Sequence, residues 1–195
     1  ISKNKGLNWE SYNSGLNDLN ITNLDYIDTI FICGTFSDGI YYNNGSDWIK
    51  NSNGIICSSI WSMTTTKRAI VANDNDYVYI SNNGISWNNI SPSVDDHFFY
   101  SVVSIGDTVF LSGEIKSILQ RFIKYCSLSS DLWYDIGNKP YEYEANFYNI
   151  YTDSNILYAY FDDKISYTDN LGEKWIDISL PEEYCNNIQS FFIHN

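Results

Sequence analysis

Two histidines, four cysteines and 24 acidic side chains bound the chemistry this chain could perform. His97 follows Asp95 and Asp96, a triplet offering one ring nitrogen and two carboxylates to a metal ion. A tetrahedral metal site needs a further His or Cys within reach, and His194 stands far along the chain. The triplet therefore reads as a solvated loop. The acid groups Asp74–Asp76, Asp162-Asp163 and Glu182-Glu183 lack the alternating ligands and the Gly of a calcium loop, and read as solvated turns. Cys33, Cys57, Cys126 and Cys185 form no C-x-x-C pair, so neither zinc-ribbon nor thioredoxin chemistry is supported. Cys33 and Cys57 sit in apolar runs, as small buried hydrophobes do. A glycosidase would need two carboxylates flanking one bond, and nothing singles out such a pair. The sequence thus predicts no metal, no cofactor and no catalysis.

Aromatic residues point instead to binding. Tyr141 and Tyr143 alternate with Glu142 and Glu144 in a long connection after Gly137-Asn138-Lys139-Pro140. Tyr beside carboxylates suits a sugar or a protein surface, because the ring supplies area and the hydroxyl a hydrogen bond. Trp61 is the one Trp outside a regular spacing; on a strand it would lie near the centre of the fold, plugging it or facing a ligand. The formal charge of −13 disfavours nucleic acid and anionic membrane surfaces as partners. No run of about 18 apolar residues offers membrane insertion, and residues 1–20 lack a signal-peptide apolar core.

The elements that position these residues are legible from composition and rhythm. Ile (26) and Tyr (17) favour sheets, Asn (24) favours turns, and only four Ala argue against long helices. Trp9, Trp48, Trp87, Trp133 and Trp175 follow one another at gaps of 39, 39, 46 and 42 residues. In four copies an Asn stands five residues before the Trp (Asn4, Asn43, Asn82, Asn170) and a Gly three before it (Gly6, Gly45, Gly84, Gly172). Asn can close an Asx-turn, Gly supplies positive φ, and the Trp then opens the return strand. The copy at 126–133 has lost the Asn-Gly pair, and Glu114–Gln120 in the same repeat lengthens a connection.

Each period predicts four strands. The first are Leu24–Ile30, Ile55–Met63, Phe98–Ile105, Asn146–Tyr151 and Ile188–Ile193; the second are Phe31–Thr35, Ala69–Asn73, Val109–Gly113 and Leu157–Phe161. The third are Gly39–Tyr42, Tyr77–Ser81, Phe122–Ser127 and Lys164–Thr168, and a fourth follows each Trp. Pro92, Pro140 and Pro181 fall just after such fourth strands, where a missing N–H costs little. Four antiparallel strands recurring at about this period predict an all-β propeller of about five blades, one domain over residues 1–195. The count is uneven: the chain opens inside a blade and closes after a first strand. A fragment of a larger propeller is an equally good reading.

The turns resemble the Asp-box, or BNR repeat, Ser-x-Asp-x-Gly-x-Thr-Trp. Ser2-Lys3-Asn4-Lys5-Gly6-Leu7-Asn8-Trp9 is similar throughout, with Asn for Asp, and Thr168, Asn170, Gly172 and Trp175 follow. The resemblance implies the propeller fold and a structural role for the turns, which in that family lie away from the ligand site. It includes sialidases, which clamp a carboxylate with three Arg; this chain has only Arg68 and Arg121, so that site cannot be complete. The expected function is a non-catalytic recognition module on a cell exterior or virion surface, such as a phage tail or adhesin. It would bind a glycan or a protein through its loops as part of a larger polypeptide or assembly. The rivals are a glycan-cleaving hydrolase and an assembly-factor scaffold.

Overall fold

A computed structural model describes residues 1–27, 29–130, 132–138, 147–161 and 164–178. Among these described residues sixteen strands form four antiparallel four-stranded sheets, each a meander in chain order. Sheet 1 holds β1 (Ile21–Ile27), β2 (Ile30–Thr35), β3 (Ile40–Asn43) and β4 (Trp48–Lys50). Sheet 2 holds β5 (Ser62–Thr65), β6 (Ile70–Asn73), β7 (Val78–Ser81) and β8 (Asn88–Asn89). Sheet 3 holds β9 (His97–Ile105), β10 (Thr108–Ile115), β11 (Gln120–Ser127) and β12 (Trp133–Asp135). Sheet 4 holds β13 (Phe147–Asp153), β14 (Ile156–Phe161), β15 (Ile165–Thr168) and β16 (Ile176–Ile178). The first strands β1, β5, β9 and β13 lie side by side in that order, as the inner strands of a propeller do. Among the described residues no helix is long and apolar enough to cross a membrane.

Strand alternation builds the core. Side chains of a strand point to opposite faces in turn, so each sheet presents one apolar face to each neighbour. Ile32 and Ile40 of sheet 1 meet Met63, Ile70, Ala72 and Tyr79 of sheet 2. Val71 and Val78, on the other face of sheet 2, meet Phe99, Val102, Val109 and Leu111 of sheet 3. Phe110, Ile123 and Ile136 then meet Leu157, Ala159 and Phe161 of sheet 4.

Three expectations need correction. The first repeat makes its turn but no sheet: residues 1–20 contain no strand, and Trp9 opens none. Four sheets are therefore described rather than five, and the expected strand Ile188–Ile193 lies outside the described residues. The long first strand predicted over Ile55–Met63 shrinks to Ser62–Thr65, because residues 51–60 run across to the next sheet. Glu114–Gln120 is no long loop; β10 and β11 pair out to Ile115 and Gln120, and a tight turn with Leu119 at φ 51° joins them.

The tryptophan turns hold the sheets together. The segment that follows each of the first four tryptophan turns crosses to the next turn and binds its backbone or its indole. Trp48 donates from its backbone N to Ser14 O (2.8 Å) and from Nε1 to Tyr12 O (2.7 Å). Trp87 N donates to Asn53 O at 3.0 Å, while Trp133 and Trp175 donate from Nε1 to Ile90 O (2.5 Å) and Asn138 O (2.7 Å). Gly15 and Gly54 make the crossing possible: a Cβ on either would sit about 2 Å from the next Trp carbonyl oxygen. In the degenerate turn before Trp133, Ser127 and Ser129 supply hydroxyl contacts in place of the Asn-Gly pair.

Two turn chemistries coexist. Asn4 and Asn170 accept from the N–H four residues on, at 2.9 and 3.1 Å, while Ser2 and Thr168 receive the N–H of Gly6 and Gly172. In the two middle turns the main acceptor moves one residue along. Asn44 accepts from Ser46 N and Asp47 N, and Asn83 from Ile85 N and Ser86 N. Asn43 still accepts from Gly45 N at 2.8 Å, but the role expected of Asn82 belongs to Asn83.

Candidate binding surface

At the end of the sheets where first strands begin and second strands turn into third, four aromatic side chains form a continuous row. Phe36 follows β2, Trp61 precedes β5, and Phe98 and Tyr100 lie on β9. Phe36 and Trp61 meet edge to face at 6.2 Å, Trp61 and Phe98 at 6.1 Å, and Phe98 and Tyr100 tilt together at 5.4 Å. The row crosses three sheets. Phe36 is 52% and Trp61 44% exposed, so their rings present apolar area to solvent.

Local sequence explains each placement. Trp61 is fixed by its N–H to Asn73 O (2.9 Å) and by buried Ile60 before it, whose side chain occupies the space a Cβ on Gly34 would fill. Phe36 is held through its N–H to Asn20 O, and Asp18 ties that loop together by accepting from Asn20 N, Ser37 N and the Ser37 hydroxyl. These donors, the Asn20 N–H foremost, lower the Asp18 pKa. On β9 the pairing with β10 shifts at Ser112/Gly113, leaving Tyr100 as the extra residue of a bulge. A bulge re-aims a side chain, and here it keeps Tyr100 beside Phe98.

Charged groups flank the row at the sheet 3 end. Lys116 Nζ lies 5.7 Å from the Phe98 ring centre, and the Arg121 guanidinium 5.1 Å from that of Tyr100. Arg121 Nε pairs with Glu114 at 3.0 Å across β10 and β11. Burial first, and hydrogen bonding to Glu114 second, push the Tyr100 phenol pKa up.

Of the residues singled out from sequence, the structure brings Trp61 into this row. Tyr141 and Tyr143 lie outside the described residues. The twelve turn residues sit at the sheet ends where third strands pass into fourth, away from the row, apart from Asn4, Gly6 and Trp9, which precede any sheet. His97 is structural: its ring nitrogens contact Val94 O (2.5 Å) and Asp76 O (2.9 Å) and its ring stacks on Phe99 at 4.2 Å. Cys57, Asp74 and Asp76 approach one another closely enough to share an ion. Asp74 is already occupied, accepting from Asp76 N, Tyr77 N and the Tyr79 hydroxyl. Cys33 and Cys57 are free thiols, and burial pushes Cys33 up to about 12. Phe36 and Phe98 were missed from sequence because each looks like strand core; the Ser37-Asp38-Gly39 turn after Phe36 was the available signal.

No family model matches the chain, and no curated protein matches it. Solved structures do. The computationally designed Ika8 protein matches with a TM-score of 0.61 at 13% identity, over 83% of this chain and 50% of that one. The extracellular domain of a putative one component system of B. thetaiotaomicron matches with a TM-score of 0.65 at 14% identity, over 88% of this chain and 23% of that one. An ancestral GH74 enzyme matches with a TM-score of 0.62 at 14% identity, over 90% of this chain and 26% of its own. The chain thus spans half or less of these neighbours' lengths. With four four-stranded sheets arranged as blades, the chain is a β-propeller module.

Proposed function

We propose that this module recognises a neutral glycan without cleaving it, through the row Phe36–Trp61–Phe98–Tyr100. The continuity of that row across three sheets is the observation that carries the reading. Successive rings about 6 Å apart offer apolar surfaces for sugar faces, and Lys116, Glu114 and Arg121 beside them offer partners for hydroxyl groups. The net charge of −13 favours a neutral over an anionic polymer. An exterior or virion-surface setting and the Asp-box kinship belong to the same proposal. The first is supported by the neighbour that is itself an extracellular domain. The second is supported by Asn4 and Asn170, whose turns pair a hydroxyl with an amide oxygen as the repeat pattern suggests.

A glycan array with purified protein tests it. Binding to neutral oligosaccharides that falls at least about tenfold in Trp61→Ala and Phe98→Ala is the expected result. Binding that survives both but is lost in Tyr143→Ala moves the site to Tyr141 and Tyr143. Binding to no glycan while a protein ligand is captured through Trp61 transfers the row to a protein partner.

A further inference from the structure

The rings of the aromatic row do not share a plane. Phe36 and Trp61 incline to each other at 63°, Trp61 and Phe98 at 71°, and Phe98 and Tyr100 at 48°. Phe36 comes from the turn after β2, Trp61 from the segment entering β5, and Phe98 and Tyr100 from β9, so each sheet delivers its ring at its own angle. Backbone bonds fix these angles. Phe36 N donates to Asn20 O and Trp61 N to Asn73 O, both at 2.9 Å. Phe99, fully buried between Phe98 and Tyr100, donates from its N to Asn75 O at 2.8 Å. Rings held this way keep their inclination when a ligand arrives, and preorganisation of that kind favours a ligand of matching shape.

A sugar stacks by laying its C–H face parallel to an aromatic face. A ligand whose sugar faces all lie in one plane can therefore lie flat on one ring of this row and meets the next only edge on. In a β-1,4-linked glucose chain each sugar is turned half a revolution from the last, and the chain stays a flat ribbon. In α-1,4- and β-1,3-linked chains each link turns the next sugar the same way. Such a chain coils, and its faces change direction from one sugar to the next.

Resting on the glycan reading above, we propose that the row selects a coiled neutral glycan over a flat one, successive sugars stacking on rings of successive inclination. Phe36 and Trp61 are the more exposed pair and carry the stacking. Toward Phe98 and Tyr100, where Lys116 and the Arg121–Glu114 pair stand beside the rings, contact passes to sugar hydroxyl groups. Specificity here is a matter of shape: a flat chain is not repelled but loses every ring after the first.

Isothermal titration calorimetry with maltohexaose, laminarihexaose and cellohexaose tests it, since these differ in linkage and not in sugar. At least one of the two coiled chains is expected to bind about tenfold or more tighter than cellohexaose, and the better of them names the linkage. Phe36→Ala leaves Trp61 as a single flat platform and is expected to bring the three affinities within about threefold of one another. Phe36→Leu, which keeps apolar bulk but has no flat face, should level them in the same way; an unchanged urea midpoint shows that each variant is folded. Cellohexaose bound as tightly as the coiled chains, and lost in Trp61→Ala, overturns the proposal while the row remains a glycan site. A preference for coiled chains that survives both Phe36 variants overturns it too. Failure of all three hexasaccharides to bind also overturns it, and the glycan array then decides separately whether the wider reading falls.

Discussion

Sheets 1 and 2 carry the same architecture and turn the same face toward the preceding position, yet first-strand positions that are core in sheet 2 are exposed in sheet 1, whose Cys33, Tyr41 and Trp48 are covered by Tyr12 and Leu16. Met63 is 9% exposed and its counterpart Leu24 65%. Tyr41 and Tyr79 occupy matching places, each donating its hydroxyl to a carboxylate, Asp38 and Asp74. The difference therefore lies in the neighbour and not in the sheet: a blade's hydrophobic pattern is written for two contacts, whether or not both are made.

The sharpest way to break that comparison is a matched pair of truncations. Met63→Ala is expected to cost about 2–5 kcal/mol in urea unfolding, and Leu24→Ala under dilute conditions about 0.5 kcal/mol or less. Equal costs would mean that the sheet 1 face is already covered in the isolated chain. Glycines give the next contrast. Gly54 has φ +91° and no room beside the Trp87 carbonyl, whereas Gly45 has φ +102° and nothing within 4 Å. Gly54→Ala should destabilise by about 2–4 kcal/mol and Gly45→Ala by about 1–2, since only the first adds a clash to backbone strain. Smaller still is the turn test: Asn83→Ala is expected to cost about 1 kcal/mol and Asn82→Ala close to nothing, read by thermal melts.

The pH dependence sharpens the picture at the sheet 1 end. The Asn20 N–H and Ser37 hydroxyl lower the Asp18 pKa, and Lys50 and Tyr41 lower that of Asp38. A depressed carboxylate stabilises the fold above its unfolded value, near 4, and loses that contribution as pH falls through its folded value. Acid titration should therefore loosen the Phe36 loop, and Asp18→Asn should flatten the acid limb of the stability curve. An unchanged acid limb in Asp18→Asn would remove that carboxylate from the account.

Much of the fold was legible because it repeats. The Trp spacing located every turn, with a Gly three residues earlier in all but the copy before Trp133, and the second and third strands fell within a residue or two of their observed bounds in sheets 1 and 2. Periodicity could not tell Asn82 from Asn83, since adjacent Asn side chains have equal chemistry and the backbone decides between them. Nor could it show that the first turn lacks a sheet, because a turn motif is satisfied locally whereas strands need partners. Of the aromatic row, Trp61 alone was singled out from the sequence. Trp61 broke the rhythm and the Ser37-Asp38-Gly39 turn marked Phe36, but Phe98 and Tyr100 carry no sign distinguishing an exposed ring from a core one. Only the bulge at Gly113 and the closeness of Ile60 to Gly34 place those rings in line.

The exit-segment crossings also dictate the order in which the molecule comes apart. Each sheet leans only on its immediate neighbours, so loss of one unit leaves the remainder nearly intact. Amide protons of β1, screened on one side alone, should exchange with deuterium ahead of those in β6 and β10, and the fold should fray from its beginning inward.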